Sequence, residues 1–322
     1  MEAETVENRE ELPSWILAFG PFLVIGALIT LGLVALRSYD FEAILVTDTV
    51  GALVIMTGIG FIAGILPVAV GMLWFPYVRR LDAEWIHAVL AFSAGILAFI
   101  AYEMADEAVG HAANVSTATV APVHDVVGLS GPAITLALAI VAALATVAAM
   151  ELGSRWQKAR TETVRGNGLL IAYLVAIGLG LHSVGEGLAI GAAFASEDAG
   201  LVILFTVGFI IHNVTEGPAV IAAVARDRET PPLRHFAALG ILAGGGVILG
   251  GWVGTFATSS FLAALVFAVA FGAIAQVIWE MVGLVRYDAG NLFARRIVVA
   301  FVVGAAVIFV LEDIVVGGWL GV

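Results

Sequence analysis

The sequence contains no cysteine and few charged residues. Of its 322 residues, 12% are charged and 61% are hydrophobic, and the mean hydropathy is +1.06. A soluble domain carries about 25% charged residues, so the composition excludes an ordinary soluble globular protein. The lack of cysteine excludes a disulfide framework and a thiolate metal site. Any bound metal must therefore be held by nitrogen or oxygen ligands or by methionine.

Basic residues are also scarce, and Lys158 is the one lysine among fourteen basic side chains. The formal charge of −12 argues against a nucleic-acid-binding protein, because such a protein needs a basic face. Residues 1–14, MEAETVENREELPS, are acidic and lack the basic segment of a signal peptide. They are expected to form a solvated tail.

Long apolar stretches predict an all-α polytopic membrane protein. Each stretch provides the about 20 mostly apolar residues that a membrane-spanning helix requires. The alternating ten-residue pattern of an outer-membrane barrel is missing from them. Nine membrane spans are predicted, near 15–36, 51–75, 86–108, 132–152, 169–195, 200–225, 236–256, 261–285 and 296–320.

The distribution of lysine and arginine predicts the orientation of these spans. Thirteen of the fourteen basic residues lie in the N-terminal tail or in the loops after the second, fourth, sixth and eighth spans, and Arg37 is the exception. Cytoplasmic loops retain basic residues, so we expect the N-terminus inside and the C-terminus outside, in the plasma membrane. The opposite loops are acidic and would concentrate cations. The longest of them is expected at HAANVSTATVAPVHDVVGLSGP.

Two His-x-x-x-Glu pairs lie near the centres of the fifth and sixth spans, His182 with Glu186 and His212 with Glu216. A charged side chain at mid-membrane costs ~2.5–3.5 kcal/mol, so it is a functional hypothesis by default. Residues four apart share a helix face. The short connection FASEDAG makes the two spans antiparallel neighbours, so we expect all four side chains to converge. Two imidazoles and two carboxylates suit Zn, Fe(II), Mn or Co.

The same two spans contain no lysine or arginine to neutralise the glutamates. Two buried carboxylates repel each other unless one takes up a proton or a cation lies between them. Pro218 provides no N–H for the carbonyl of Val214 and is expected to kink the sixth span there. Both features favour a cation site at this depth.

The segments HSVGEGLAIGAAF and HNVTEGPAV resemble the metal-binding helices of the ZIP family of divalent metal transporters, and AFSAGILAF in the third span is similar to a further family segment. The resemblance covers the second to ninth spans. It implies an eight-helix ZIP-like transport domain over 51–320, with 15–36 as an additional N-terminal transmembrane helix. It also implies that His182, Glu186, His212 and Glu216 bind the transported metal.

The sequence departs from the family pattern at two places. The family asparagine after the first histidine is Ser183 here, whereas Asn213 occupies a position that contributes to a second metal in some relatives. The span 236–256 has no carboxylate, although relatives with two metals use one there, so we expect one principal site. The further candidates for a secondary metal site or for the ion pathway are Ser183, Asn213, Glu103, Asp106, Glu107, Gln276 and Glu280.

These observations predict a divalent metal-ion transporter that moves cations into the cytoplasm. Zinc is the favoured cargo, although the ligand set also tolerates Fe, Mn, Co and Cd. The protein is not expected to be an enzyme or to need a cofactor. The oligomeric state stays open, with a homodimer as one option. The alternatives are an intramembrane metal-dependent hydrolase, for which no His-Glu-x-x-His helix is present, and a metal-responsive sensor.

Overall fold

The computed structural model describes residues 13–36, 48–78, 81–163, 168–221, 224 and 231–311. Within these ranges the chain is helical and contains no β-strand. The elements, in order, are α1 (Ser14–Leu36), α2 (Thr49–Gly60), a π-helical turn (Phe61–Ile65), α3 (Leu66–Val78), α4 (Ala83–Ala113), a 3₁₀ turn (Thr117–Val120), α5 (Ala121–Val127), α6 (Gly131–Thr163), α7 (Gly168–Ala195), α8 (Ala199–Asn213), α9 (Glu216–Ile221), α10 (Leu233–Gly244), α11 (Gly246–Gly254), α12 (Ser260–Ala289) and α13 (Arg295–Val310).

Seven stretches of the described chain are long and apolar enough to cross a membrane, which confirms the prediction of a multi-pass all-α membrane protein. The predicted spans 15–36 and 296–320 correspond to α1 and α13. Residues 1–12 of the tail and 312–320 of the last predicted span lie outside the described residues. The seven stretches are Thr49–Trp74, Ala83–Ala113, Gly131–Thr161, Gly168–Ala195, Ala199–Ile221, Leu233–Gly254 and Ser260–Tyr287.

Two helices extend further than their apolar stretches predicted. Helix α4 continues to Ala113 and α6 continues to Thr163. The extension of α6, residues 153–163, contains glutamine, lysine, alanine, glutamate and two arginines, which are strong helix formers, whereas the shorter extension of α4, residues 109–113, ends in two alanines. In α6 the side chains of Glu151 and Arg155, four residues apart, form an ion pair at 2.8 Å. The outer segment predicted as a loop is also largely helical, since it contains the end of α4, the 3₁₀ turn and α5.

The helices pack in two groups. Helices α2–α3, α7, α8–α9 and α10–α11 contact one another, and α4, α6, α12 and α13 form the second group, which meets the first mainly where α12 packs on α7. The contact between α7 and α11 is so close that a Cβ at Gly187 would lie 2.1 Å from the carbonyl oxygen of Val247. Glycine permits such approach of membrane helices. Helix α7 is therefore held firmly against α11.

Three members of the first group are interrupted in mid-span, and the interruptions lie against one another. A Cβ at Gly64, in the π-helical turn, would lie 2.2 Å from the carbonyl oxygen of Gly244, where α10 ends. A Cβ at Gly71 of α3 would lie 2.1 Å from the carbonyl oxygen of Val214, in the break between α8 and α9. Irregular backbone at membrane depth is tolerated where protein buries it or where it lines a cavity. The break of α8–α9 belongs to the candidate site.

Candidate metal site

The structure brings the four residues of the two His-x-x-x-Glu pairs together. Each offers one ligand atom, and these atoms all lie within 4.8 Å of one another. His182 Nε2 lies 2.8 Å from Glu216 Oε1 and 3.5 Å from Glu186 Oε1. His212 Nε2 lies 3.4 Å from Glu216 Oε1 and 3.9 Å from Glu186 Oε1. An ideal tetrahedral zinc site has ligand–ligand distances of about 3.4 Å. We call these four residues the quartet.

The quartet is buried, with exposed fractions of 0% for Glu186, 2% for His212 and 5% for both His182 and Glu216. Among the described residues, the ion-pair contacts of the two glutamates are with the two histidines alone. Both Nε2 atoms, Glu186 Oε1 and both oxygens of Glu216 make no hydrogen bond of acceptable geometry within the described chain. Buried polar atoms normally have partners, so these converging atoms fit a bound cation.

The second pair straddles a helix break. Helix α8 ends at Asn213 and α9 begins at Glu216, and Pro218 provides no N–H for the Val214 carbonyl in this break. The sequence predicted a kink at this carbonyl, and the structure has an interruption of the helix instead. Thr215 satisfies a different carbonyl in the break, since its backbone N–H and its hydroxyl donate to the carbonyl oxygen of His212 at 2.9 and 2.7 Å.

Ser93 of α4 supports His212 from the other group of helices. Its fully buried hydroxyl lies 2.6 Å from Nδ1 of His212 and 3.4 Å from Oγ1 of Thr215. A metal-binding histidine characteristically uses its second ring nitrogen for such a contact, which fixes the ring orientation. Here the contact leaves Nε2 directed at the carboxylates. The two His-x-x-x-Glu motifs gave no indication of Ser93, whose one signal in the sequence is a hydroxyl within the apolar segment AFSAGILAF.

Asn213 supports Glu186 of the first pair. Its side-chain amide donates to Glu186 Oε2 at 2.8 Å and to the carbonyl oxygen of Ala63 at 2.9 Å. Ala63 lies in the π-helical turn, a kind of distortion that often marks a functional site. The amide therefore occupies one oxygen of Glu186 and leaves Oε1 toward the histidines. Asn213, which lies on the helix of the second pair, thus orients Glu186, a ligand of the first pair.

Two of the secondary candidates, Ser183 and Glu280, are bonded elsewhere. The hydroxyl of Ser183 lies 3.0 Å from the carbonyl oxygens of Leu179 and Ala243. Gln276 is buried in α12, and its side-chain nitrogen makes no hydrogen bond of acceptable geometry within the described chain. Glu280 accepts a hydrogen bond from Ser154 and lies 3.5 Å from Lys158.

The three acidic candidates of α4 also lie outside the quartet. Ten residues separate Glu103 from Ser93 in one helix, which corresponds to about 15 Å along its axis. Glu103 is half-buried and Asp106 is exposed. Glu107 Oε2 lies 3.5 Å from Nε2 of His111, near the end of α4. These side chains therefore lie too far along α4 to share the ligation of the quartet.

No family model matches the chain, and no curated protein matches it significantly. The fold and the site themselves define the class: a multi-pass helical membrane protein with a buried cluster of two histidines and two glutamates that can hold a metal ion.

Proposed function

We propose that this protein transports divalent metal ions, and that it moves them into the cytoplasm through the quartet. The observation that carries the proposal is the convergence of two neutral nitrogen and two anionic oxygen ligands inside membrane-spanning helices. Burial of two carboxylates without lysine or arginine is costly unless a cation shares the site. Discontinuous helices beside the site are a common feature of transporters, and the break of α8–α9 fits that plan.

We also propose a ZIP-like architecture, because the two His-x-x-x-Glu motifs and the order of the spans resemble those of the ZIP family. In it, residues 51–320 form the eight-helix transport domain, and α1 is an N-terminal addition. The basic side chains support an inward N-terminus and an outward C-terminus in the plasma membrane, since Arg155, Lys158 and Arg160 all extend from one end of α6.

The chemistry of the ligands suggests how the ion moves. Acidic outer loops would attract a hydrated cation, and the carboxylates of α4 would lead it toward the quartet. There the ion exchanges water for His182, Glu186, His212 and Glu216. Protons compete with metals for imidazole and carboxylate ligands, so acidification weakens binding and favours release.

One cation is expected to occupy the site at a time. The described stretch Leu233–Gly254 contains no carboxylate that could complete a second site. Four nitrogen and oxygen ligands at near-tetrahedral separations favour zinc. Iron, manganese, cobalt and cadmium are expected to compete, because the donor set accepts each of them.

Uptake into proteoliposomes tests the proposal. Purified protein is reconstituted with a zinc-sensitive dye inside the vesicles, and zinc is added outside. We expect wild-type protein to carry zinc, Glu216→Gln to carry none above empty vesicles, and Glu151→Gln to carry it at the wild-type rate. Glu151 is the matched control, because it is a span glutamate that pairs with Arg155 outside the quartet. Zinc binding without flux in the wild type would refute transport and favour a sensor or an intramembrane hydrolase.

A further inference from the structure

A groove opens on the surface formed by α1, α4 and α13, separate from the ligand atoms of the quartet. Its volume is about 800 Å³, within the range of about 300–1,000 Å³ typical of ligand sites. Nearly all of its lining is apolar. The residues that line it include Phe22, Gly26, Trp85, Arg296, Val299 and Val303.

The length of the groove matches one leaflet of a bilayer. Its lining along α13 begins at Arg295 and reaches Val307. Twelve helical residues correspond to about 18 Å. The hydrocarbon core of a membrane is about 30 Å thick, so one leaflet contributes about 15 Å. An occupant with one polar end and long apolar chains therefore fits the groove along its whole length.

The polar end of the groove is basic. Arg296 Nη1 lies 2.6 Å from Glu84 Oε2, and its guanidinium lies 5.1 Å from the centre of the Trp85 ring. Arg295 is exposed, and no carboxylate of the described chain lies within ion-pair distance of it. Tryptophan and arginine are typical of the membrane–water interface. At the polar end of the groove, Glu84 thus neutralises Arg296, and Arg295 is available to bind an anion.

We propose that this groove is a binding site for one anionic phospholipid. Arg295 and Arg296 contact the headgroup phosphate, and the acyl chains lie along Phe22, Val299 and Val303. Basic pockets between membrane helices on the cytoplasmic side bind acidic headgroups, and the charge distribution assigns this end to the cytoplasm. The inference goes beyond metal transport and does not depend on it.

The bound lipid would also pack behind the metal site. The groove is lined by Ile211 and Phe92, which immediately precede His212 and Ser93 in the sequence. These last two side chains form the 2.6 Å contact between α8 and α4. Occupancy of the groove therefore supports the helix pair that orients His212.

Native mass spectrometry of the detergent-purified protein tests the site. The protein is delipidated and then offered equal amounts of phosphatidylglycerol and phosphatidylcholine. We expect one phosphatidylglycerol to be retained in preference to phosphatidylcholine. The double variant Arg295→Ala/Arg296→Ala should reduce that preference about 30-fold, given the contribution of each basic residue near an anionic membrane. The double variant Arg155→Ala/Arg160→Ala removes the same charge outside the groove and should keep the preference.

A second variant tests the groove without changing its charge. A Cβ at Gly26 meets no atom within 4 Å, so Gly26→Leu should fill the groove and reduce retention of both lipids. Gly58, which also has open space around it in another span, provides the control Gly58→Leu. Equal retention of the two lipids by the wild type would overturn the proposal, and so would unchanged retention in the Arg295/Arg296 and Gly26 variants.

Discussion

The two His-x-x-x-Glu pairs have the same spacing but different backbones. His182 and Glu186 lie within the continuous helix α7, whereas His212 and Glu216 lie on either side of the break between α8 and α9. Packing holds the first pair, since α7 lies against α11 through backbone contacts at Gly187. Both hydrogen bonds and packing of the break against α3 hold the second pair. The comparison shows that a shared motif determines which ligands meet, while its surroundings determine how rigidly each ligand is held.

The residues that directly follow the two histidines, Ser183 and Asn213, also play different roles. Ser183, which follows the first histidine, lies within hydrogen-bond distance of two backbone carbonyls and supports its own helix. Asn213, which follows the second histidine, donates to Glu186 of the other pair. Each position comes directly after a histidine, yet one of them orients a ligand and the other does not. We therefore expect substitutions around the second pair to affect metal binding more.

The largest expected effect comes from the ligands themselves, and it should be equal for both pairs. Glu186→Gln and Glu216→Gln each remove one anionic ligand and leave a single buried carboxylate to balance the cation. We expect each to weaken zinc binding by about 100-fold or more, beyond the 10–100-fold typical of residues that only orient a ligand. Isothermal titration calorimetry of purified protein measures this, with Glu151→Gln as the control. A normal affinity in either variant would remove that glutamate from the site.

The next effect separates the two pairs. Asn213→Leu keeps the side-chain volume but removes the amide that donates to Glu186 Oε2. We expect zinc affinity to fall by about 10–100-fold, as for other residues that orient a metal ligand. The matched variant Ser183→Ala should change the same affinity by less than about twofold, because its hydroxyl contacts carbonyl oxygens rather than a ligand. Equal losses of zinc affinity in the two variants would contradict the expectation that Asn213 orients a ligand and Ser183 does not.

Ser93→Ala tests whether the second pair depends on the other group of helices. Without the hydroxyl, Nδ1 of His212 has no fixed partner, and the ring can turn its Nε2 away from the carboxylates. We expect about a tenfold loss of zinc affinity, with an unfolding temperature near that of the wild type. Ser154→Ala is the control, because Ser154 contacts Glu280 away from the quartet. Ser93→Thr should restore the affinity, since it retains the hydroxyl.

Much of this site follows from the sequence because its main constraints are local. The four-residue spacing fixes a common helix face, and the short connection FASEDAG makes the helices neighbours, so the meeting of His182 with Glu216 was predictable. The contacts of Ser93 and Ala63 were not, because they join residues 119 and 150 positions apart. Only tertiary packing brings such segments together. The helix end at Thr163 was missed because polar helix formers extend α6 beyond its apolar part.

The smallest expected effect concerns the helix break itself. Pro218→Ala restores an N–H that could donate to the Val214 carbonyl, and one such bond contributes a net ~0.5–1.5 kcal/mol. The backbone around the break is nevertheless held by packing, since a Cβ at Gly71 would meet that same carbonyl oxygen at 2.1 Å, and Thr215 already satisfies His212.

We therefore expect Pro218→Ala to change zinc affinity by no more than about threefold, which corresponds to the low end of the free-energy range for one hydrogen bond. Gly217→Ala is the informative companion, because its Cβ would lie 2.3 Å from the backbone nitrogen of Met72 and must displace α3. It should lower affinity more than Pro218→Ala does in the same calorimetric titration. If the proline variant were the more damaging of the two, the missing N–H rather than the packing of α3 would maintain the break. The second pair would then owe its geometry to its own sequence, whereas the first pair depends on packing against α11.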